Sequence, residues 1–496
     1  MRVLGISSMF HDAAASVVED GKILFAAHAE RYSKQKNDPF INKQLIDAAL
    51  EYGKPDVIVL HEKDWLKRLR NIKAGNWSSL REPSQRKWIR DFYPELSGIP
   101  VVAPYLHHQT HAAAGVLTSN YTHAAVMVID AIGEFNTATI WEWSSGKLIK
   151  RDSVNFPNSL GLFYSAVTAH CGLKPMEDEY ILMGMAAYGD PTVAAEIRKH
   201  MIQDFFVDGY SLRMRKNLQR GLPTGYEKFN HFDMALAAQL ICEERIYHYA
   251  ELARKLCRSK NLVYMGGVAL NCVANGKLFK IFNDIHIMPN PGDAGSALGA
   301  AALYYYDKTG ERVSWPGAYL GTEIPGAYPV KRALRSALAG EIFGVANGRA
   351  EYGPRALGNR SLMADPRGDQ IKDRMNEIKK RQKFRPFAPV ILEEHVHDYF
   401  EMPHDCVSPY MQFVAVCRYP EQFPAIIHHD GTSRVQTVNR EQNPGLYELL
   451  TKFYKKTGCP MLVNTSLNIK GQPIVDDEAD AAAFAEHYGV KVHTSD

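Results

Sequence analysis

Apolar positions along the chain come mostly in short runs closed by Gly, Pro, Asn or Asp, the pattern of buried strands, with helix-like segments between some of them. Residues 2–7, RVLGIS, read as a buried strand. The stretch HDAAASVVED-GKILFAAHAE reads as two strands joined at Asp20-Gly21, a dipeptide favoured in tight hairpins. A helix is expected around 44–52 and a strand at 56–60. Further strands are expected at IPVVAPY (99–105), at 124–129 and at NLVYM (261–265). Pro and Gly then gather in WPGAYLGTEIPGAYP, within 314–330, which reads as a linker. Beyond it a second α/β pattern begins: a strand at 342–346, a basic stretch, then FAPVIL, MQFVAVC and CPMLVNTSLN. The periodicity therefore predicts an α/β chain of two domains, 1–325 and 326–496.

Composition narrows this little. With 496 residues, 46% apolar and 23% charged, the chain is long enough for two or three separate cores. No apolar run approaches the roughly 20 residues of a membrane span, and the N-terminus enters a strand directly, without signal-peptide features. Seven scattered cysteines without a CxxC pair point to reduced thiols, hence a cytoplasmic location, and away from a zinc ribbon or a disulfide framework.

Charge is more informative where it is uneven. Between Arg349 and Arg385 there are eleven Lys or Arg against five Asp or Glu, an excess larger than the whole chain's formal +3. Guanidinium forks with glycines at turns suit a small phosphate ligand, whereas a solvated helix and loop would also carry such charge. From Glu62 to Asp91, nine basic residues face four acids, together with Trp65, Trp77 and Trp88, three of the six tryptophans. That mixture fits either a nucleic-acid surface or an amphipathic insertion with its Trp side chains packed inward.

Three constellations carry candidate chemistry. His11-Asp12 sits where the first strand ends; it is either a turn and cap, or a pair in which His11 acts as base or orienter of an attacking group. His107 and His111 in HHQTH are spaced i, i+4, so on a helix they share a face and can share a metal. Asp130, at the end of a strand, and Asp293, in a Gly-rich turn opening a helix, are candidate partners; two imidazoles with two carboxylates suit divalent iron or manganese. The bland alternative is a core histidine pair and two helix-cap aspartates. Finally, GGVALN (266–271) and GDAGSALG (292–299) offer Gly-rich turns at helix starts, where backbone amides bind anions.

HHQTH, an Asp after an apolar strand and NPGDAGSALGAA, in that order, resemble the NodU/CmcH family of O-carbamoyltransferases. EYGPRALGNRS, FRPFAP, HHDGTSRVQTV and NTSLN resemble its C-terminal part, and SLGLFYSAVTAHCGL and EDEYILMGMAAYGD its middle. The resemblance implies an N-terminal actin/Hsp70-like ATPase-fold domain followed by a threonylcarbamoyl-AMP-synthase-like α/β domain. It implies a metal, Fe(II) or Mn(II), on His107, His111, Asp130 and Asp293, and a nucleotide on Gly266, Gly267, Asn271, Gly295 and Ser296. In the C-terminal domain it implies carbamoyl phosphate and ATP, the latter with Mg2+, on Arg355, Lys379, Arg385, Arg434, Ser466 and Asn468. Of these, Lys379, Arg385, Ser466 and Asn468 would be catalytic, with His11 in the other domain. One departure is Leu182, where many members carry a Lys before the MGxAxYG motif; no role of that Lys carries over.

The implied reaction has two steps: carbamoyl phosphate and ATP give carbamoyl adenylate, which then carbamoylates a hydroxyl. The acceptor leans toward a hydroxymethylated pyrimidine in DNA or a nucleotide, a DNA-modification role. The alternative is a natural-product sugar, although the chain ends soon after NTSLN, earlier than expected for an antibiotic-tailoring member. No membrane partner is implied, and a homodimer is compatible. Two other classes compete: a regulatory nucleotide-binding module, which predicts missing site residues, and a tRNA threonylcarbamoylation enzyme, which does not need both domains in this order.

Overall fold

Hydrogen bonding from Arg2 to Ser7 builds the first sheet outward in both directions. In a computed structural model, which describes residues 1–496 except 74, 82, 404 and 405 and the side chain of residue 80, Arg2–Ser7 pairs antiparallel with Ala14–Glu19 from Arg2↔Glu19 to Ser7↔Ala14. Asp20 (φ 45°) and Gly21 (φ 76°) both take the left-handed conformation that a two-residue hairpin demands, and the chain returns as Lys22–His28. On the other side Val57–Leu60 runs parallel to Arg2–Ser7, and Val101–Val102 runs parallel to Val57–Leu60.

A second sheet repeats this plan. His123–Ile129 pairs antiparallel with Asn136–Ser144, which pairs antiparallel with Lys147–Asn155. Asn261–Met265 lies parallel on the other side of His123–Ile129, followed by Asp284–His286. In both sheets the strand order is third, second, first, fourth, fifth. The chain thus holds a duplicated unit that its sequence hides, and this duplicated sheet is the plan expected of an actin/Hsp70-like ATPase-fold domain. Two helices, His107–Thr118 and Gly295–Thr309, pack together beside these sheets. They approach so closely that a Cβ at Gly299 would lie 1.9 Å from the Thr110 carbonyl oxygen, so only glycine fits.

The chain forms two compact units, residues 1–24 with 39–315, and residues 25–38 with 316–496. The expected boundary at 325 falls beyond this division because Tyr319–Ile324 is a strand, paired with Gly348–Glu351 in the second unit. Residues 25–38 count with that unit for a local reason: buried Arg31 donates to the Gly353 carbonyl at 3.2 Å, and Tyr32 and Thr322 hydroxyls are 2.9 Å apart.

The second unit is built on an eight-stranded mixed sheet. Its strands lie in the order Phe400–Glu401, Phe413–Cys417, Thr432–Val438, Ala388–Leu392, Met461–Ser466, Arg360–Ala364, Phe343–Ala346, Lys491–His493. Helix Pro444–Thr457 shows how the sequence writes an element here. Asn443 caps it by accepting from the Leu446 amide at 3.0 Å, proline takes the first turn, and Gly458 (φ 70°) stops it. Leu446, Leu449, Leu450 and Phe453 form its buried stripe, each contributing about 1.5–3 kcal/mol by leaving water.

Arg360 is fully buried and donates to five backbone carbonyls, those of Thr322, Asn347, Gly348, Asn359 and Asp476. Arg349 likewise binds the carbonyls of Leu320 and Gly321. These two members of the basic stretch hold the fold together. In the 62–92 region, Trp88 stacks on Phe40 and Phe92 with ring centroids 5.1 and 4.1 Å away, while Trp65 and Trp77 are exposed. Ala74 and Glu82, counted in that region, lie outside the described residues. Among the described residues no helix is long and apolar enough to cross a membrane, and all seven cysteines are free and buried.

Candidate active site

Helix His107–Thr118 has no polar face; all but one of its residues are buried, so its histidines are buried too. The i, i+4 spacing brings His107 Nε2 and His111 Nε2 within 3.0 Å of each other. Asp130 follows strand His123–Ile129 and sets Oδ2 3.6 Å from His107 Nε2 and 3.2 Å from His111 Nε2. Asp293, in the turn before helix Gly295–Thr309, sets Oδ1 3.3 Å from both. One ligand-type atom from each of the four residues lies within 4.8 Å of the others.

The surrounding hydrogen bonds fix how these groups point. His111 Nδ1 is 3.0 Å from the Pro291 carbonyl, which forces Nδ1 to carry the proton and leaves Nε2 a lone pair. His107 Nδ1 lies 3.4 Å from Glu62 Oε2, a carboxylate–imidazole pairing of the kind that orients metal-bound histidines. The middle histidine turns away: His108 Nδ1 is 3.1 Å from Thr139 Oγ1, and burial holds its pKa well below the ordinary value. Glu134 closes the helix N-terminus, accepting from the His107 amide at 3.1 Å.

Two carboxylates buried side by side need positive charge close by. Burial by itself would lower the pKa values of His107 and His111, but Asp130 and Asp293 override it and raise both. The same imidazoles hold Asp130 ionised against its own burial. A divalent cation satisfies this donor set in place of the protons: two nitrogens, two carboxylate oxygens, converging lone pairs, and Asp130 Oδ2 buried without a hydrogen bond. The residues fit a metal.

His11 Nδ1 is 3.0 Å from Asp12 Oδ2. Burial opposes its charge, yet the Asp12 hydrogen bond and the Asp12 and Asp293 charges raise its pKa to about 9, so it is a cation at neutral pH. Of the expected nucleotide residues, Gly266 and Gly267 reach the cluster. Gly266 donates to the Pro291 carbonyl at 2.9 Å, and a Cβ there would lie 2.1 Å from the Ile129 carbonyl oxygen. A Cβ on Gly267 would lie 3.2 Å from Asp130 Oδ1. Gly295 opens the helix after Asp293, with Ser296 fully buried behind it. Asn271 is engaged locally: it exchanges hydrogen bonds with the Gln239 amide and caps the turn at Ala274.

In the second unit the structure joins Lys379, Ser466 and Asn468. The buried Lys379 ammonium reaches the Ser466 carbonyl, the Asn468 carbonyl at 2.8 Å and Asn468 Oδ1 at 3.0 Å, and Ser466 Oγ donates to Asn468 Oδ1 at 2.7 Å. Burial, with the charges of Arg381, Arg385 and Lys36, pushes the Lys379 pKa well below the usual lysine value, so Arg385 is an electrostatic neighbour. Arg434 lies two residues before Gln436 on one strand, and Ser466 two residues after Asn464 on another, so each pair shares a face. Asn464 donates to Gln436 Oε1 at 2.6 Å and to the Ala356 carbonyl at 3.1 Å, which lays the loop bearing Arg355 over that face.

Sequence reasoning missed His61, Glu62 and Glu134. His61 and Glu62 follow strand Val57–Leu60, the same strand-end position that singled out Asp130, and both are buried. Glu62 was hidden because it opens a basic stretch; it also holds Lys67, with Nζ at 3.1 Å.

Two family profiles match this chain: "Carbamoyltransferase N-terminus" over residues 2–74 and 95–302, and "Carbamoyltransferase C-terminus" over residues 335–494. The chain belongs to the carbamoyltransferase family and is an enzyme of that class. Its relatives include nodulation protein NolNO of Sinorhizobium fredii, 32% identical over 96% of this chain and 76% of that protein. The 3'-hydroxymethylcephem-O-carbamoyltransferase of Amycolatopsis lactamdurans is 29% identical over 97% of this chain and 95% of that protein. Among solved structures, HypF of T. kodakarensis aligns with 62% of this chain and 48% of that chain at a TM-score of 0.37 and 14% identity.

Proposed function

We propose that the protein is an ATP-dependent O-carbamoyltransferase working through carbamoyl adenylate. The observation that carries this reading is the convergence of His107, His111, Asp130 and Asp293 in the N-terminal half of a carbamoyltransferase-family chain. The second unit, corresponding to the domain expected over 326–496, binds carbamoyl phosphate and Mg2+-ATP. Arg355, Arg385 and Arg434 neutralise phosphate oxygens, and the Ser466–Asn468 turn, braced by Lys379, orients the carbamoyl amide and carbonyl. Water hydrolyses carbamoyl phosphate, its oxygen completing the products as the bridge between the carbamoyl and phosphoryl groups breaks, to give carbamate and inorganic phosphate. A carbamate oxygen then attacks the α-phosphorus of ATP, and the bond to the bridging oxygen of pyrophosphate breaks.

Transfer to the acceptor takes place in the first unit. Gly266, Gly267 and Gly295 offer backbone amides to the AMP moiety, with Asn271 and Ser296 supporting those loops. A divalent ion, Fe(II) or Mn(II), bound by His107, His111, Asp130 and Asp293 would supply Lewis acidity toward the carbamoyl carbonyl. His11, protonated at neutral pH and paired with Asp12, donates to and orients the acceptor hydroxyl. The hydroxyl oxygen bonds to the carbamoyl carbon, the bond from that carbon to the AMP phosphate oxygen breaks, and the hydroxyl proton leaves on the AMP phosphate. Burial of the cluster keeps water from the labile adenylate.

For the acceptor, a hydroxymethylated pyrimidine nucleotide is favoured over duplex DNA. Lys67 and Arg70, two of the basic residues that suggested a nucleic-acid surface, point inward to Glu62 and to backbone carbonyls. The test is incubation with carbamoyl phosphate, ATP and Mn(II), offering hydroxymethylcytosine nucleotide, hydroxymethylcytosine DNA or an aminoglycoside. A product heavier by one CONH unit identifies the acceptor. Absence of AMP with every acceptor removes the reading.

A further inference from the structure

Residues 25–38 fall within the match to the N-terminal profile but pack with the second unit, and they are seated there beside the Lys379 pocket. Buried Arg31 grips two loops at once: its guanidinium donates to the Gly353 carbonyl at 3.2 Å and to the Ile474 carbonyl at 3.5 Å. Gly353 stands two residues before Arg355. Ile474 ends the turn that follows Ser466 and Asn468, and that turn is folded onto Lys379. The Lys470 amide donates to the Lys379 carbonyl at 3.0 Å, Asn468 Nδ2 to the Gln472 carbonyl at 2.7 Å, and the Val475 amide to the Leu467 carbonyl at 3.1 Å. Lys34 adds a second tie, its ammonium shared between the Arg31 carbonyl at 2.7 Å and the Asp480 carboxylate. Beyond it the chain doubles back: Lys34 (φ 59°) and Asn37 (φ 54°) are left-handed, and the Asn37 amide donates to Glu30 Oε2 at 2.8 Å. That bond closes residues 30–37 into a compact turn and brings half-buried Lys36 back to the Arg31 end of the segment.

The charges that act on the buried Lys379 ammonium are those of Arg381, Arg385 and Lys36, all cations. Its hydrogen-bond partners are the carbonyls of Ser466 and Asn468, Ser466 Oγ and Asn468 Oδ1, none of them a carboxylate. Four cationic side chains gathered without an acid cost free energy that a bound polyanion relieves. Arg381 is committed to the fold, donating to Asn376 Oδ1 at 2.6 Å and to the Pro386 carbonyl at 3.1 Å. Lys36 acts on Lys379 more weakly than either arginine, as the most distant of the three charges would. In an in-line displacement the leaving pyrophosphate lies on the far side of the α-phosphorus from the attacking carbamate. With the carbamate at the Ser466–Asn468 turn over Lys379, the outermost cation faces the leaving group.

We infer that Lys36 is a phosphate-binding residue of the adenylate-forming pocket and that it takes the pyrophosphate end of Mg2+-ATP, the β- and γ-phosphates. A strip of chain from the opposite end of the sequence thus completes a pocket that residues 326–496 do not complete alone. As a carbamate oxygen bonds to the α-phosphorus, the bond from that phosphorus to the bridging oxygen breaks and its electron pair stays on the oxygen. The Lys36 ammonium neutralises the charge that grows there. This inference rests on the carbamoyl-adenylate reading proposed above.

Pyrophosphate release by the full chain tests it, with Mg2+-ATP and carbamoyl phosphate varied in turn, in wild type, Lys36→Gln, Lys36→Arg and Gln35→Ala. Lys36→Gln raises the KM for Mg2+-ATP and the inhibition constant of added Mg2+-pyrophosphate together, each about tenfold or more, the scale of a charge-assisted hydrogen bond. The KM for carbamoyl phosphate stays nearly unchanged, which a general collapse of the pocket would not allow. Lys36→Arg keeps most of the affinity, and Gln35→Ala, at the exposed neighbouring position, behaves as wild type. Calorimetric titration with Mg2+-pyrophosphate reads the same loss if Lys36→Gln turns over too slowly for kinetics. An unchanged KM for Mg2+-ATP in Lys36→Gln, an equal rise in both KM values, or an effect confined to carbamoyl phosphate overturns the inference and leaves the reaction standing. Absence of pyrophosphate release by wild type overturns the underlying reaction, and the inference with it.

Discussion

Glu62 Oε2 stands 3.4 Å from His107 Nδ1, on the opposite side of the imidazole from the nitrogen that meets His111, Asp130 and Asp293. The carboxylate is buried, kept ionised mainly by Lys67 and His61 against its own burial. It therefore sets both the tautomer and the ring orientation of His107.

Glu62→Gln should weaken Mn(II) binding roughly ten- to hundred-fold, the usual consequence of losing such a partner. Competition with a metal-sensitive chelator measures it. His108→Asn, altering the histidine that faces Thr139, should leave the same affinity nearly unchanged; a larger effect at His108 than at Glu62 contradicts the geometry.

His11 carries a pH prediction. Its folded-state pKa is raised from 6.5 to about 9. A base whose pKa rises on folding stabilises the protein fully below the unfolded value and loses that contribution as pH climbs through the folded one. Wild type should therefore melt above His11→Gln near pH 6, and the gap in Tm should close between pH 6.5 and 9. A gap that widens with pH refutes the His11–Asp12 pairing.

Arg360→Ala should be among the most damaging single changes in the second unit. It strands the carbonyls of Thr322, Asn347, Gly348, Asn359 and Asp476 in the interior, a loss on the order of 3–5 kcal/mol. Thermal unfolding should show an early transition from that unit while Mn(II) binding by the first unit persists. An unchanged melting profile contradicts a structural role for Arg360.

How much of this was legible beforehand follows from what each residue's signal was. The Asp20-Gly21 hairpin was readable because the turn dictates residue type, and His107 and His111 because one spacing fits one helix face. The repeated sheet plan was not, because RVLGIS and HAAVMVI share burial but hardly any residues, and topology leaves no mark on composition. Arg360 lay within a stretch that, read as charge, suggested phosphate; only burial distinguishes an arginine that serves five carbonyls from one that serves a ligand. Of the three tryptophans in the 62–92 region, Trp88 packs as an insertion would, whereas Trp65 and Trp77 stay exposed, so neither of the two expectations describes all three.

The central claim is that carbamoyl adenylate forms in the second unit, independently of the metal cluster. The most direct measurement is pyrophosphate release from ATP by the full chain, with and without carbamoyl phosphate, in wild type, Arg385→Ala and His107→Ala. The account predicts release only with carbamoyl phosphate, its loss in Arg385→Ala with Mn(II) binding intact, and its survival in His107→Ala without carbamoyl transfer. Release of ADP and phosphate in place of pyrophosphate, or loss of metal binding in Arg385→Ala, would contradict it.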